Sequence, residues 1–269
     1  MTVYPGSTGI PAYELREFRQ KSSDYCLCIP VLNEGERILR ELHRAKDAGV
    51  DALTDILICD GGSTDGSMDP DRLAELGVNA LIVKTGPGKQ GAQLRTGFHL
   101  ARQRGYRGIL TVDGNDKDSV ESVPLFLDKL NEGYAFVQGS RFLPGGEAVN
   151  TPAIRLLALR LIHAPVISFA ARQRFTDTTS AFRAYAPEYL FAPGTDIFRD
   201  VFSGYELLAY LSVRWSALGL KACEVPVRRV YPKGEKTPTK ISPLRGNWDL
   251  LKILFKAAAG AYDPKENSR

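Results

Sequence analysis

The stretch Thr111–Ser119, "TVDGNDKDS", follows a short apolar run and gathers three carboxylates, an amide and an ammonium group. Hard oxygens suit a divalent cation, and positive charge suits the phosphates that such a cation bridges. The same residue types also build tight turns and cap helices, and Asp116 and Asp118 read as turn and cap residues of that kind. Position separates the two readings. Comparable polar sets follow three other β-rich runs: Asn33 and Glu34 after "YCLCIPV", Asp60, Ser63 and Asp65 after "DILICD", and Ser140 and Arg141 after Ala135–Gly139. Ligands of open parallel sheets bind beyond the carboxyl ends of the strands. Four strands sending polar groups to one edge therefore mark a site, and its chemistry suits a nucleoside diphosphate. Asp60 can accept from a base or ribose, and Asp113 with Asn115 forms a D-x-[DN] pair for a divalent ion. "TGPGKQG" brings Lys89 to the same edge without the spacing of a Walker A loop, and no G-x-G-x-x-G follows the first strand.

Apolar periodicity supplies the elements that must hold these groups. Strands are expected at 25–31, 55–60, 80–84, 108–113 and 135–139, with helices at 34–48, 71–76, 90–103 and 119–131 between them. That alternation predicts a doubly wound parallel sheet covered on both faces, its strands nearly all apolar. Residues 1–22 read as a loose N-terminal arm, 23–141 as a nucleotide-binding half and 142–269 as a smaller acceptor half. In the latter, helices are expected at 154–175 (bent at Pro165), 203–217 and 247–259, with a strand at 221–227.

The 269 residues carry a net charge of +4, too mild for a nucleic-acid binder but suited to phosphates or an anionic membrane surface. Cys26, Cys28, Cys59 and Cys223 show no metal spacing and read as reduced core thiols, which points to the cytoplasm. The start of the chain lacks signal-peptide character, and no 18-residue apolar run predicts a span. The expectation is a soluble protein or one attached peripherally to a membrane face. His43, His99 and His163 read as structural residues, and Trp215 as core.

Seven motifs, in order over roughly 24–242, resemble those of the family 2 inverting glycosyltransferases, and within them the dolichyl/polyprenyl-phosphate sugar transferases. They are "IPVLNE", "ICDGGSTDGS", "GKQGAQLRTGFHLA", "TVDGNDKDSVESVP", "GSRFLPGG", "DTTSAFRAY" and "EVPVRRVY…TK". The resemblance implies a GT-A fold, with a Rossmann-like nucleotide half. It implies that Pro30, Leu32 and Glu34 border the nucleoside with Asp60 and Ser63. It implies that Asp113 and Asn115 hold Mg²⁺ or Mn²⁺, and that Arg141, Arg183, Arg229 and Lys240 receive phosphates. Glu206 matches an acidic position on the acceptor side. Three departures stand out: Gly61 replaces the second aspartate of D-D-G-S, Asn115 the second of D-x-D, and Lys117 a further polar metal ligand. Altered base preference and weakened metal dependence are the expectations.

The implied reaction is a single in-line displacement at the anomeric carbon of a nucleoside-diphosphate sugar. With a lipid-phosphate acceptor no strong base is needed; with a hydroxyl acceptor, Asp177 or Glu206 would take the proton. Arginines along helix 154–175, with Arg245, Lys252 and Lys256 around "WDLLKILF", favour a polyprenyl phosphate met at a membrane surface. A soluble saccharide or alcohol acceptor, a sugar-nucleotide pyrophosphorylase and a decayed nucleotide-sugar-binding protein are the competing readings. The pyrophosphorylase would want an early G-x-G-x-R-[ML] loop, which this chain lacks.

Overall fold

A computed structural model of the chain describes residues 1–232 and 245–265. Eleven strands are formed by these residues: β1 Thr2–Tyr4, β2 Tyr13–Glu17, β3 Tyr25–Val31, β4 Asp55–Asp60, β5 Val78–Lys84, β6 Gly108–Thr111, β7 Phe136–Ser140, β8 Glu147–Val149, β9 Arg183–Tyr185, β10 Ala222–Pro226 and β11 Arg228–Val230. Nine of them make one sheet in the order β1-β2-β5-β4-β3-β6-β9-β7-β10, and β11 pairs with β8 in a small second sheet. The run β5-β4-β3-β6 is parallel, as is β7-β10. β9 lies antiparallel between β6 and β7.

Period-two alternation explains why both faces of the sheet are covered. Leu27, Ile29 and Val31 of β3 join Ile38, Leu39 and Leu42 of helix Glu36–Asp47 in one core cluster. Cys26 and Cys28, from the same strand, turn the other way toward Leu94 and Phe98 of helix Gln90–Gln103. The four cysteines are free thiols, three of them fully buried, and Trp215 is core, as expected.

The supposed arm is not loose. β2 pairs antiparallel with β5 over Tyr13–Glu17, and β1 pairs with β2, so the first residues extend the sheet edge. Their short, polar strands gave no periodicity to read. β9 escaped for a related reason: three residues carry no pattern, and only its neighbours make it a strand. Because β9 and β10 come from beyond residue 141, the segments before and after that residue share a single sheet.

Two helices differ from expectation. The one placed at 203–217 divides into Glu206–Leu211 and Arg214–Ala217. Ala153–Ala170 is helical throughout, with Pro165 accommodated behind a π-helical turn over Leu159–His163 that adjusts the ladder before the missing N–H. This helix is also long and apolar enough to cross a membrane, which amends the expectation of no span, and only 17% of it is buried. Ile154, Leu157, Leu161 and Phe169 stand exposed along it, with Trp248 and Phe255 exposed on helix Arg245–Ala258.

Candidate functional site

The ends of β3 and β4 form one wall. Asp60, almost fully buried, accepts from the Gly62 and Ser63 backbone N–H groups at 2.9 and 3.0 Å and from Ser63 Oγ at 2.6 Å. Its carboxylate thus builds the turn that follows β4, an Asx arrangement, and spends its oxygens there. Ser63 Oγ accepts from Asn33 N at 2.9 Å, Asn33 Oδ1 from Thr64 N at 2.8 Å, and Asp65 Oδ2 from Gly35 N at 2.8 Å. These bonds lace the two loops together. Leu32 and Glu34 are half-buried in the first of them, Glu34 paired with Arg37 at 2.8 Å, while Pro30 lies buried within β3 below.

Past β6, the acidic stretch sorts its residues by direction. Asp113 accepts from Gln90 Nε2 at 2.9 Å and forms an ion pair with Arg229 Nη2 at 3.3 Å, its side chain 22% exposed. Asn115 Nδ2 lies 3.4 Å from the same carboxylate, and Asn115 Oδ1 is buried without a hydrogen-bond partner. Asp116, in the left-handed region at φ 58°, turns away to Arg40 and Arg44 at 3.0 and 2.8 Å. Its N–H donates to the buried Glu41 carboxyl at 2.8 Å. Asp118 is fully buried against Arg229. Asp116 and Asp118 therefore hold the loop, as the sequence suggested, and leave Asp113 and Asn115 for a ligand.

An orphaned, buried amide oxygen beside a carboxylate fits a hard cation. Asp113 and Asn115 Oδ1 would hold it, with phosphate oxygens and water completing the shell. The set is sparse: among the described residues no group of three His, Cys, Asp or Glu is placed to bind a metal. Positive charge gathers instead around Tyr231. Lys117 lies 5.2 Å from its ring centroid, and Arg155 and Arg229 each lie 5.8 Å away. Burial and then Arg229 pull the Lys117 ammonium below its ordinary range. Burial would raise the Tyr231 phenol, but Arg229 and Arg155 outweigh it and hold it below the usual value. A long phenol-to-arginine link, 3.4 Å from Arg155 Nη1 to Tyr231 Oη, joins helix Ala153–Ala158 to this cluster.

Two of the expected phosphate arginines are engaged elsewhere. Arg141 grips Asp177 with two bonds of 2.6 and 3.0 Å and reaches Thr179 Oγ1 at 2.7 Å, all within the interior. Arg183 spends its guanidinium on the carbonyls of Ser180, Leu208 and Thr178 at 2.9, 2.6 and 3.2 Å. Buried carbonyls with an open lone pair attract such a fork, which makes Arg183 a structural brace. Asp177 is likewise no proton acceptor: burial opposes ionisation, yet Arg141 keeps its carboxyl below the ordinary range. Glu206 is half-buried and accepts from Gly204 N at 2.6 Å. Lys240 lies outside the described residues.

The remaining wall is the loop before Glu206. Lys89 N and Ala92 N both donate to Ser203 O, at 2.8 and 3.2 Å, seating "GKQG" against it; the Lys89 side chain is exposed. Gly91 permits this approach, since a Cβ there would lie 2.7 Å from Phe202 O. Tyr205, 37% exposed, follows this loop, and its phenol is raised by burial and then by the Asp113 charge. Gln90, Arg155 and Tyr231 thus join the candidate site, a place the sequence reading gave to none of them. Tyr231 ends the quoted "EVPVRRVY" motif and Gln90 stands beside Lys89 in "GKQGAQLRTGFHLA", so a signal for both existed; Arg155 is brought in by packing.

Comparison with known proteins extends this geometry. The chain is 32% identical over 203 residues to an undecaprenyl-phosphate mannosyltransferase of Micrococcus luteus, covering 74% of this chain and 80% of that protein. It is 28% identical over 241 residues to a polyprenol monophosphomannose synthase of Mycolicibacterium smegmatis, covering 86% and 84%. Its fold matches glucosyl-3-phosphoglycerate synthase of Mycobacterium tuberculosis, solved with Mn²⁺, UDP and phosphoglyceric acid. The TM-score is 0.61 at 17% identity, over 87% of this chain and 76% of that one. The fold is GT-A, with its mostly parallel central sheet. The glycosyl transferase family 2 model matches residues 26–190, which take in both laced loops, the Asp113 turn and the inserted β9, and the chain belongs to that family.

Proposed function

We propose that this glycosyltransferase moves a hexose from a nucleoside-diphosphate sugar to a polyprenyl phosphate, inverting the anomeric carbon in one displacement. One observation carries the acceptor assignment. Helix Ala153–Ala170 exposes Ile154, Leu157, Leu161 and Phe169 outward, while its Arg155 reaches inward to Tyr231 beside Arg229 and Lys117. An apolar chain lying along the outer face would thereby bring its phosphate to a cationic mouth at the site. The names of the relatives agree with a polyprenyl acceptor. Family membership leaves the pyrophosphorylase reading without support.

In this mechanism the acceptor phosphate oxygen is already an anion and attacks without a general base, consistent with Asp177 being locked to Arg141. A divalent ion, when bound, neutralises charge on the departing diphosphate. Asp113 and Asn115 would hold that ion, and Arg229 and Lys117 would stabilise the leaving charge from fixed positions. Gln90 orients the Asp113 carboxylate. The apolar helices dock the protein peripherally on an anionic membrane face, with their arginines and lysines at the headgroups.

Incubation with a panel of labelled nucleotide sugars and polyprenyl phosphate in detergent tests the reading. Label should enter the organic phase as a lipid-linked sugar. Transfer to a soluble saccharide alone would overturn the acceptor assignment, and binding without any turnover would support a decayed site.

A further inference from the structure

Helix Glu36–Asp47 turns Ile38, Leu39, Leu42 and Ala45 into the core, and it puts an acid in the same stripe. Glu41 is fully buried, although a carboxyl placed there forfeits its hydration. What it meets is the turn after β6. Glu41 Oε2 accepts from Asp116 N at 2.8 Å, and Oε1, also buried, has no partner among the described residues. Burial raises this carboxyl well above its ordinary range, which favours a neutral acceptor. Asp116 sits at φ 58°, a left-handed conformation that needs support in a residue with a side chain. The same helix supplies the rest of that support. Arg40 and Arg44 hold the Asp116 carboxylate at 3.0 and 2.8 Å, and Arg44 also reaches Asp118 O at 3.0 Å and Glu121 at 2.7 Å. One helical turn before Glu41, Ile38 lies against Gly114, where a Cβ would stand 3.1 Å from Ile38 Cδ1 and 2.9 Å from Val31 Cγ2. Asn115 is thus flanked by two residues that this helix fixes, Gly114 by packing and Asp116 by hydrogen bond.

Resting on the proposed cation site, we infer that Glu41 is a positioning residue for it: by accepting from Asp116 N, Glu41 sets the turn that keeps the unpartnered Asn115 amide oxygen beside the Asp113 carboxylate. Glu41 touches no ligand itself. Asn115 N donates to Asp113 O at 2.8 Å, so both residues share one tight turn, and Asp116 is its next residue. A shift at Asp116 N is therefore passed directly to Asn115. A hard cation on so sparse a protein set depends strongly on this support, because no surplus ligand makes up for a misplaced one.

The test titrates Mn²⁺ alone into the whole protein and reads the free ion by electron paramagnetic resonance, with the melting transition recorded for each variant. The wild type should bind Mn²⁺, and Asp113→Ala should not. Glu41→Gln keeps an uncharged acceptor and should bind Mn²⁺ like the wild type. Glu41→Leu fills the space without an acceptor and should bind roughly tenfold or more weakly while still melting cooperatively. A merely structural acid would move the melting transition and leave metal affinity alone. Arg44→Met, at a half-buried position, serves if Glu41→Leu does not fold. Removing that positive charge should by Coulomb's law alone tighten a nearby cation, so weaker binding reports displacement of the turn. Mn²⁺ affinity unchanged in folded Glu41→Leu, lost equally in Glu41→Gln, or raised in Arg44→Met would overturn the inference. A wild type that binds Mn²⁺ no better than Asp113→Ala would instead bring down the cation site, and this inference with it.

Discussion

Asp113 and Arg183 both carry charges at strands flanking the site, yet their substitutions should fail in different ways. Asp113→Ala removes the carboxylate that Gln90 and Arg229 orient and that would hold the cation. Transfer should fall by roughly 10²–10³, typical of losing one preorganised electrostatic group, while the melting temperature changes little. Arg183→Ala removes the guanidinium that the Thr178 carbonyl accepts from, and one of the two donors to each of the Ser180 and Leu208 carbonyls, which keep Gln138 Nε2 and Ser212 Oγ. It should cost about 3 kcal/mol of stability, read in urea, with KM unchanged for whatever protein stays folded. A raised KM with normal stability would return Arg183 to the phosphate-binding role that its motif suggested. At Asn115 and Lys117 the ligand set is thin and already cationic, so EDTA should reduce activity without abolishing it. Complete loss, reversed by Mn²⁺, would count against weakened metal dependence.

At the scale of elements, helix Glu36–Asp47 and the loop after β6 are joined by a buried acid. Glu41 accepts from Asp116 N, and its other oxygen has no partner. Burial, opposed only by that N–H bond and reinforced by Asp118, Asp116 and Asp113, raises its carboxyl well above the ordinary range. A carboxyl whose folded pKa is raised stabilises fully below its unfolded pKa, about 4.3. That stability is lost as pH climbs through the folded value. Glu41→Gln imitates the protonated form. It should raise the melting temperature at pH 8, by roughly 2–4 °C for each kcal/mol regained, and give no gain at pH 4. Asp177 has the opposite sign. Held low by Arg141, it should contribute at neutral pH and lose its contribution only as pH falls below about 3.9. Breaking that pair with Asp177→Asn should cost about 3–5 kcal/mol at pH 7.

On the scale of the whole molecule, the apolar helix Ala153–Ala170 and the neighbouring Trp248 and Phe255 make one exposed surface. Patches of this kind on soluble domains mark contacts with membranes or partners. Leu161→Glu combined with Phe169→Glu should cut co-sedimentation with anionic vesicles several-fold. Nucleoside-diphosphate binding should be untouched, because both side chains are exposed on the outer face and Asp113 draws on neither. Vesicle binding that survives the double change would place the docking surface elsewhere.

Much of this protein could be read from its chain because buried parallel strands declare themselves. "YCLCIPV" and "DILICD" became β3 and β4 with the expected bounds, since uninterrupted apolar runs of that length have few other uses. The polar residues following those strands then had to lie at one edge, and Asp60 and Asp113 do follow neighbouring parallel strands. Local pattern did not say which way a side chain would turn once there. Arg141 and Arg183 sit in the expected motifs but face Asp177 and backbone carbonyls, because a carboxylate or buried carbonyls elsewhere in the chain claimed them. Arg155 reached the cluster at Tyr231 from a helix far off in sequence, and Gln90, beside Lys89 in a quoted motif, turned to Asp113. Their roles follow from close packing, which only the assembled structure can specify.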